Sequence, residues 1–245
     1  MNKQDLPDLA HYLDAALSFA EEEKEPRTYL GISQLGRCAR ATGYGLRPDD
    51  YPADNQIESL RFFNEGNVAE DDIVRRLIAG GCPVYNQQKE VTFPIGHPLA
   101  NVAYGHIDGE VPMSPVLASP LHDDPQERAI LEIKSLRMGA LNKLAKAGNV
   151  SEAWPQYGIQ AHTYAHCQAR NWVVYIVKDR NSGDMATCWE PYDHQMVEMG
   201  VEQGLNVMRN ANSDTIPRRD YNPSKDWQCR KEYCKYRTYC LEEGE

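Results

Sequence analysis

No stretch of this chain approaches the ~20 consecutive apolar residues that a bilayer-spanning helix needs. The N-terminal segment Met1–Leu13 is polar and acidic and lacks the apolar segment of a secretion signal. The expectation is therefore a protein of the cytoplasm with no membrane partner. Positive charge is in short supply: 26 Lys and Arg stand against 36 Asp and Glu, for a net charge of −10. Taken alone, that deficit argues against a nucleic-acid partner, since phosphate binding rests mostly on Lys and Arg. There is no CxxC pair, the spacing common in structural zinc sites. The cysteines number seven, and an odd count without a secretion signal argues against a disulfide framework. Internal repeats and low-complexity linkers are absent too. The 245 residues suffice for one sizeable core or two small domains.

What is present is unevenly distributed. The stretch Arg209–Arg237 carries Arg209, Arg218, Arg219, Lys225, Arg230, Lys231, Lys235 and Arg237 against four acids. A second basic group, Lys134, Arg137, Lys143 and Lys146, lies mid-chain, while acids gather at Glu21–Glu23 and Asp71–Asp72. Cys82, Cys167 and Cys188 are isolated and read as small buried hydrophobes. Cys229, Cys234 and Cys240 lie close together in a basic tail with Trp227, Tyr233, Tyr236 and Tyr239. That tail offers little apolar surface with which to dock itself.

Periodicity predicts a helix over Asp5–Glu23, with Leu9, Tyr12, Leu13, Ala16 and Leu17 on one stripe. A short helix opens at Ser33, placing Cys38 about one turn inside it. A long helix follows over 56–79. Strands are expected at Lys89–Ile95, Ala100–Val111 and Ala129–Ser135. A loop-like insert, Pro112–Arg128, separates the last two and contains an acidic turn at His122–Asp124. Helices at 141–147 and 152–169, strands at 172–178 and 185–190, and a helix at 192–210 complete the chain. This order predicts one α/β domain around a mixed central sheet. Its parts are a helical segment 1–55, a core 56–210 and a Cys-rich tail 211–245.

The chemistry-bearing residues converge on one hypothesis. Side chains alternate on a strand, so Glu132 and Lys134 share one face while Ile133 enters the core. If the strand holding Asp108 pairs beside them, two carboxylates and an ammonium meet. Carboxylates at close range repel unless a cation lies between them. Hard oxygen donors with a nearby lysine suit Mg²⁺ or Mn²⁺ together with a phosphate. Glu70 stands on the apolar stripe of the long helix, ahead of Ile73, Val74 and Leu77, where a carboxylate needs a partner; Asp71 could serve from the next position. Gln156, Gln160 and Tyr164, spaced by four, form a polar stripe able to touch DNA. Trp154, Gly158, Ala161 and Ala165 form a small-residue face suited to close packing.

Five features in order, Cys38 within Ser33–Cys38, Gly66–Glu70, Gly105–Gly109, Glu132-Ile133-Lys134 and Gln160–Tyr164, are followed by the three tail cysteines. In this the chain resembles the RecB-type nucleases that carry a [4Fe–4S] cluster, including the CRISPR-associated RecB-like family, the AddB nuclease domain and phage relatives. The resemblance runs from Ser33 to Cys240. It implies a PD-(D/E)xK, restriction-endonuclease-like core and metal-dependent hydrolysis of DNA, as an exonuclease on single strands or duplex ends. It implies a metal held by Glu70, Asp108, Glu132 and Ile133, with Asp108, Glu132, Lys134, Gln160 and Tyr164 in catalysis. It further implies a cluster on Cys38, Cys229, Cys234 and Cys240 joining the two ends, with recombination, repair or CRISPR-adaptation proteins as partners. Two departures stand out. Glu70 occupies the place of the family's usual His, and four residues separate Cys229 from Cys234 where two are common. The alternative reading is an iron–sulphur DNA-binding module with hydrolysis secondary; a zinc-stapled protein with an unrelated metal-dependent activity is a third.

Overall fold

The structure, a computed structural model, describes residues 9–22, 27–54, 57–113, 127–231 and 233–243. The acidic turn expected at His122–Asp124 lies outside the described residues. Helix α1 (Leu9–Glu22) leads to a two-residue strand β1 (Leu30–Gly31), a 3-10 turn (Ile32–Gln34) and α2 (Ala39–Gly45). Then come α3 (Ile57–Ala79), β2 (Glu90–Thr92), β3 (Ala103–His106), β4 (Gly109–Pro112) and β5 (Arg128–Leu136). Helices α4 (Ala140–Ala147), α5 (Val150–Ala153) and α6 (Pro155–Cys167) follow, then β6 (Trp172–Asp179), β7 (Met185–Pro191), α7 (His194–Asn212) and α8 (Arg237–Glu242).

The expected single sheet is two mixed sheets. One has the order β1-β3-β2, the other β4-β5-β6-β7. The strand expected over Ala100–Val111 is broken at Ile107-Asp108, where the chain leaves the first sheet and enters the second. Ile107 is fully buried there, and its main chain bonds the segment ahead of β2, through Gln88 N–H and the Lys89 carbonyl. Other boundaries also shift. Cys38 is the N-cap of α2 and not a turn inside a helix. Ile95, expected as the last residue of a strand, is wholly exposed beyond β2. Pro155 divides the expected 152–169 helix into α5 and α6, because its ring lacks the N–H a continuing helix requires.

The second sheet is packed on both faces. Val74 and Ile73 of α3 cover Leu131, Ile133, Val174 and Ile176. On the other face Ile130, Val173, Tyr175 and Val177 join a larger core with α4, α6 and α7. The small-residue face of α6 does pack closely: a Cβ on Gly158 would lie 3.0 Å from the Ser151 Cα. Helix α1, by contrast, leaves its expected apolar stripe largely open, with Tyr12 63% and Leu13 70% exposed.

The tail docks through its tyrosines. Tyr236 is buried and its ring lies 5.8 Å from that of the fully buried Tyr44, while Tyr51 and Tyr239 meet edge to face at 5.4 Å. Glu243 accepts hydrogen bonds from the hydroxyls of Tyr44 (2.7 Å) and Tyr51 (2.8 Å). The expectation of a tail unable to dock itself is thus corrected. Tyrosines that read as polar in sequence supply ring area for packing and hydroxyls for bonding.

Three imidazoles line a cleft of about 710 Å³ beside α7: His97, His166 and His194. Burial, and then the neighbouring imidazole, holds the pKa of both His97 and His166 below 6.5. A histidine whose folded pKa is depressed contributes stability that is present above pH 6.5 and lost as pH falls through the folded value. Nδ1 of His97 accepts the Leu99 N–H at 3.1 Å, a role an asparagine can keep. His97→Asn is therefore expected to cost stability at pH 7.5 and progressively less towards pH 5.5. Thermal melts of the two proteins across that range check it; a gap that widens on acidification contradicts the reading.

Candidate active site

The site forms where β4 stops short of the end of β5. Pairing between them begins at Gly109 and Leu131, so the next β5 positions have no β4 partner. Asp108, just ahead of β4, fills the gap with its side chain: Oδ2 accepts the Ile133 N–H at 2.6 Å. A strand residue's N–H and C=O point to the same side. The Ile133 carbonyl is therefore directed to the Asp108 side as well.

Glu132 and Lys134 share the opposite face of β5 from Ile133, as alternation requires. Glu132 is fully buried. Its Oε1 takes an ion pair from the Lys134 ammonium and a hydrogen bond from Gln160 Nε2 at 2.9 Å. Its Oε2 is buried with no hydrogen-bond partner. Such an orphaned anionic oxygen is costly unless something else engages it. Lys134 also lies over the Tyr157 ring at 4.9 Å. Although burial opposes its charge, the carboxylates of Glu132 and Asp108 raise its pKa, so it is a cation at neutral pH.

Asp108 and Glu70 respond as carboxyls in a shared field. Burial, followed by the Glu132 charge, drives the Asp108 pKa well above 3.8, with the Ile133 N–H opposing. Burial raises Glu70 above 4.5, Gln88 opposes, and Glu132 and Asp71 add repulsion. Glu70 Oε1 is held by the Gln88 side-chain amide. Asp71 is exposed and lines a separate cleft of about 450 Å³ with Ser135, Lys178 and Arg180.

The sequence reading and the structure differ in three ways here. First, Asp108, Glu132 and Glu70 do not form a ready-made trio. Among the described residues, no group of three or more His, Cys, Asp or Glu stands as a metal-holding set. Each carboxylate is turned to its own partner: Ile133 N–H, Lys134 and Gln88. Second, Gln160 and Tyr164 do not face outward. They are 6% and 2% exposed. Gln160 bonds both Glu132 and the Tyr164 hydroxyl, so these two support the carboxylate and leave only the half-buried Gln156 of the stripe open. Gly105 is required here, since a Cβ would lie 2.8 Å from the Tyr164 hydroxyl. Third, two residues of the basic tail cluster are engaged internally. Arg219 bonds Sγ and the carbonyl of Cys240, and Arg237 bonds the carbonyls of Pro223 and Cys229.

All seven cysteines are free thiols. Cys38, Cys229, Cys234 and Cys240 come from opposite ends of the chain into one electrostatic neighbourhood. Burial, then the charges of the other three, pushes Cys229 up to about 11. They too fall short of a closed metal-holding set.

Two buried polar nodes had no signal in the sequence. Glu190 of β7 accepts from Val150 N–H (2.6 Å), Ser151 N–H (3.3 Å) and Ser151 hydroxyl (2.5 Å), with His162 Nε2 at 3.5 Å. It is not a catalytic triad, because the His162 Nδ1 accepts a main-chain N–H from Asp193 and the carboxylate lies on Nε2. Glu110 is likewise fully buried, between Arg128 (3.5 Å) and Arg170 (2.9 Å). The partners in each node are far apart in sequence, and nothing in the local pattern marks them.

No protein-family model matches the chain, and no curated protein does. Among solved structures, the crystal structure of SSO0001 aligns with 98% of this chain and 99% of its own, at TM-score 0.60 and 12% identity. Over its length this chain has the fold of SSO0001. At that identity the likeness establishes architecture alone. An alkaline exonuclease (LHK-Exo) from Laribacter hongkongensis aligns at TM-score 0.48 and 13% identity, covering 77% of this chain and 90% of its own. The same exonuclease in complex with dAMP aligns at TM-score 0.45 and 12% identity. Among the described residues no helix is long and apolar enough to cross a membrane.

Proposed function

We propose that this chain, as a single nuclease domain over residues 1–245, hydrolyses DNA phosphodiester bonds with the aid of Mg²⁺ or Mn²⁺. One observation carries the reading: Glu132 is wholly buried, its Oε1 is neutralised by Lys134 and Gln160, and its Oε2 has no partner. Close by are a carboxyl with a strongly raised pKa, Asp108, and the Ile133 carbonyl. Two carboxylate oxygens and a main-chain carbonyl, completed by waters, form a hard-donor set of the kind Mg²⁺ accepts. Glu70, held by the Gln88 amide, would add a further carboxylate to that set. When bound, the metal lowers the pKa of a water and polarises the phosphoryl oxygen. Lys134, held cationic by two carboxylates, stabilises negative charge on the phosphoryl group and orients the attacking water. Gln160 and Tyr164 keep Glu132 in place.

The resemblance to RecB-type nucleases extends the proposal to exonuclease action on single strands or duplex ends. It points to recombination, repair or CRISPR-adaptation proteins as partners. It also extends to a [4Fe–4S] cluster on Cys38, Cys229, Cys234 and Cys240, four thiols that already influence one another's ionisation. The cluster is tested by colour: protein purified without air is brown if iron–sulphur is bound, whereas Zn²⁺ is colourless. The nuclease reading is tested on end-labelled single- and double-stranded DNA. Wild type is expected to degrade it with Mg²⁺ or Mn²⁺ and not with EDTA. Lys134→Ala is expected to be slower by at least about 10²-fold, the typical loss of a charge-stabilising donor. Cutting that persists in EDTA, or is unaffected by Lys134→Ala, contradicts it.

A further inference from the structure

The end of β5 runs out of the candidate active site into an alternating set of cations and rings. Arg137, three residues past Lys134, lies between two aromatic faces: its guanidinium is 4.6 Å from the Phe62 ring of α3 and 5.1 Å from that of Tyr233 in the tail. Tyr233 in turn meets Trp227 edge to face at 5.0 Å. Arg180 also lies over Phe62, at 5.4 Å, and anchors itself on the Ser135 carbonyl at 2.7 Å. Trp227 is 47% and Tyr233 40% exposed, so each keeps ring surface open to solvent. Arg230 and Lys231, both exposed, stand between them in the chain.

We infer that Trp227 and Tyr233, braced by Arg137, form a stacking platform for unpaired nucleobases of a DNA strand entering the candidate active site. This rests on the nuclease reading of that site and adds to it a substrate form and the residues that recognise it. Any base has a π-face that stacks on an aromatic ring, whereas a duplex offers its base faces only at an end. Arg230 and Lys231 flank the rings as phosphate contacts. Three residues of extended chain from Lys134 to Arg137 span roughly 10 Å, about three stacked nucleotides at ~3.4 Å each. The platform therefore selects a strand already unpaired a few nucleotides from the point of cleavage. It also gives the docked tail a function that the buried tyrosines do not explain.

The test is binding in EDTA, so that nothing is cut. A short single-stranded oligonucleotide, the same strand with abasic sites in its middle, and a blunt duplex with closed hairpin ends are titrated against the full chain. Tryptophan fluorescence and anisotropy of labelled DNA report binding. The single strand is expected to quench tryptophan emission and to bind more tightly than the abasic strand or closed duplex. Trp227→Ala is expected to weaken single-strand binding roughly tenfold, the effect of one lost stacked base. Trp227→Phe, which retains a ring, is expected to restore most of it, and the abasic strand is expected to be insensitive to both changes. Trp227→Ala binding as wild type, or weakened equally for intact and abasic strands, overturns the platform. Wild type that cuts DNA yet shows either of those results overturns the platform and leaves the nuclease reading standing. Wild type that stacks single strands as described but never cuts supports the platform and removes the nuclease reading. Wild type that binds no DNA overturns the platform outright.

Discussion

Asp108→Asn is expected to abolish cutting and, at the same time, to raise the melting temperature of the metal-free protein at pH 8. The loss of activity follows from removing an anionic metal donor and is expected to reach at least about 10²-fold. The gain in stability follows from linkage. The folded carboxyl keeps its proton well above pH 3.8, where the unfolded chain has already released it. Over that window the folded state binds more protons than the unfolded, so stability falls as pH rises. Asparagine can accept the Ile133 N–H as Asp108 does, without the charge. Each kcal/mol recovered is worth about 2–4 °C in a chain of this size. Melts of both proteins in EDTA at pH 5 and pH 8 are expected to separate at the higher pH and converge at the lower. A variant less stable than wild type at pH 8 contradicts the account of Asp108 as a carboxyl strained by its surroundings.

Glu190→Ala is expected to be the most destabilising single change outside the apolar core, by about 3–5 kcal/mol. The carboxylate satisfies two main-chain N–H groups, the Ser151 hydroxyl and the His162 ring in a buried region between α5, α6 and β7. Truncation leaves the Val150 and Ser151 N–H groups buried without an acceptor, though the Ser151 hydroxyl keeps the His162 ring at 3.2 Å, and the melting point is expected to fall on the order of 10 °C. Burial pushes this carboxyl up, but hydrogen bonds from His162, Ser151 and Val150 outweigh it and hold the pKa below 4.5. Its contribution is therefore present above pH 4.5 and lost as pH falls through the folded value. Denaturant melts at pH 7 and pH 4 measure both effects. A Glu190→Ala protein within 1 kcal/mol of wild type, by the ~1 kcal/mol scale of an ordinary hydrogen bond, contradicts the node's structural role.

Long elements were legible in the sequence because their patterns are local. The helical spacing of Ile73, Val74 and Leu77 marks α3, and the apolar run Val173–Val177 marks β6. The pairing of Glu132 with Lys134 followed from strand alternation alone. The break at Asp108 did not, because Gly105–Gly109 alternates smoothly as one strand would. The break is imposed from outside, by Tyr164 pressing on Gly105 and by Gln88 and Lys89 taking the main chain of Ile107. Gln160 and Tyr164 read as a solvent stripe because an amide and a phenol are polar, and only a buried carboxylate 28 residues earlier in the chain makes their burial favourable. The tail's docking was missed for the same reason: its tyrosines find Tyr44 and Tyr51 nearly two hundred residues back.

Calorimetric titration of the apo protein with Mn²⁺ at neutral pH, alongside Glu132→Gln and Asp108→Asn, tests the metal site most directly. Wild type is expected to give a saturable binding event that EDTA reverses, and both variants are expected to lose it while melting cooperatively. Binding of Mn²⁺ by all three proteins alike, or by none of them, would contradict a metal held between Glu132 and Asp108.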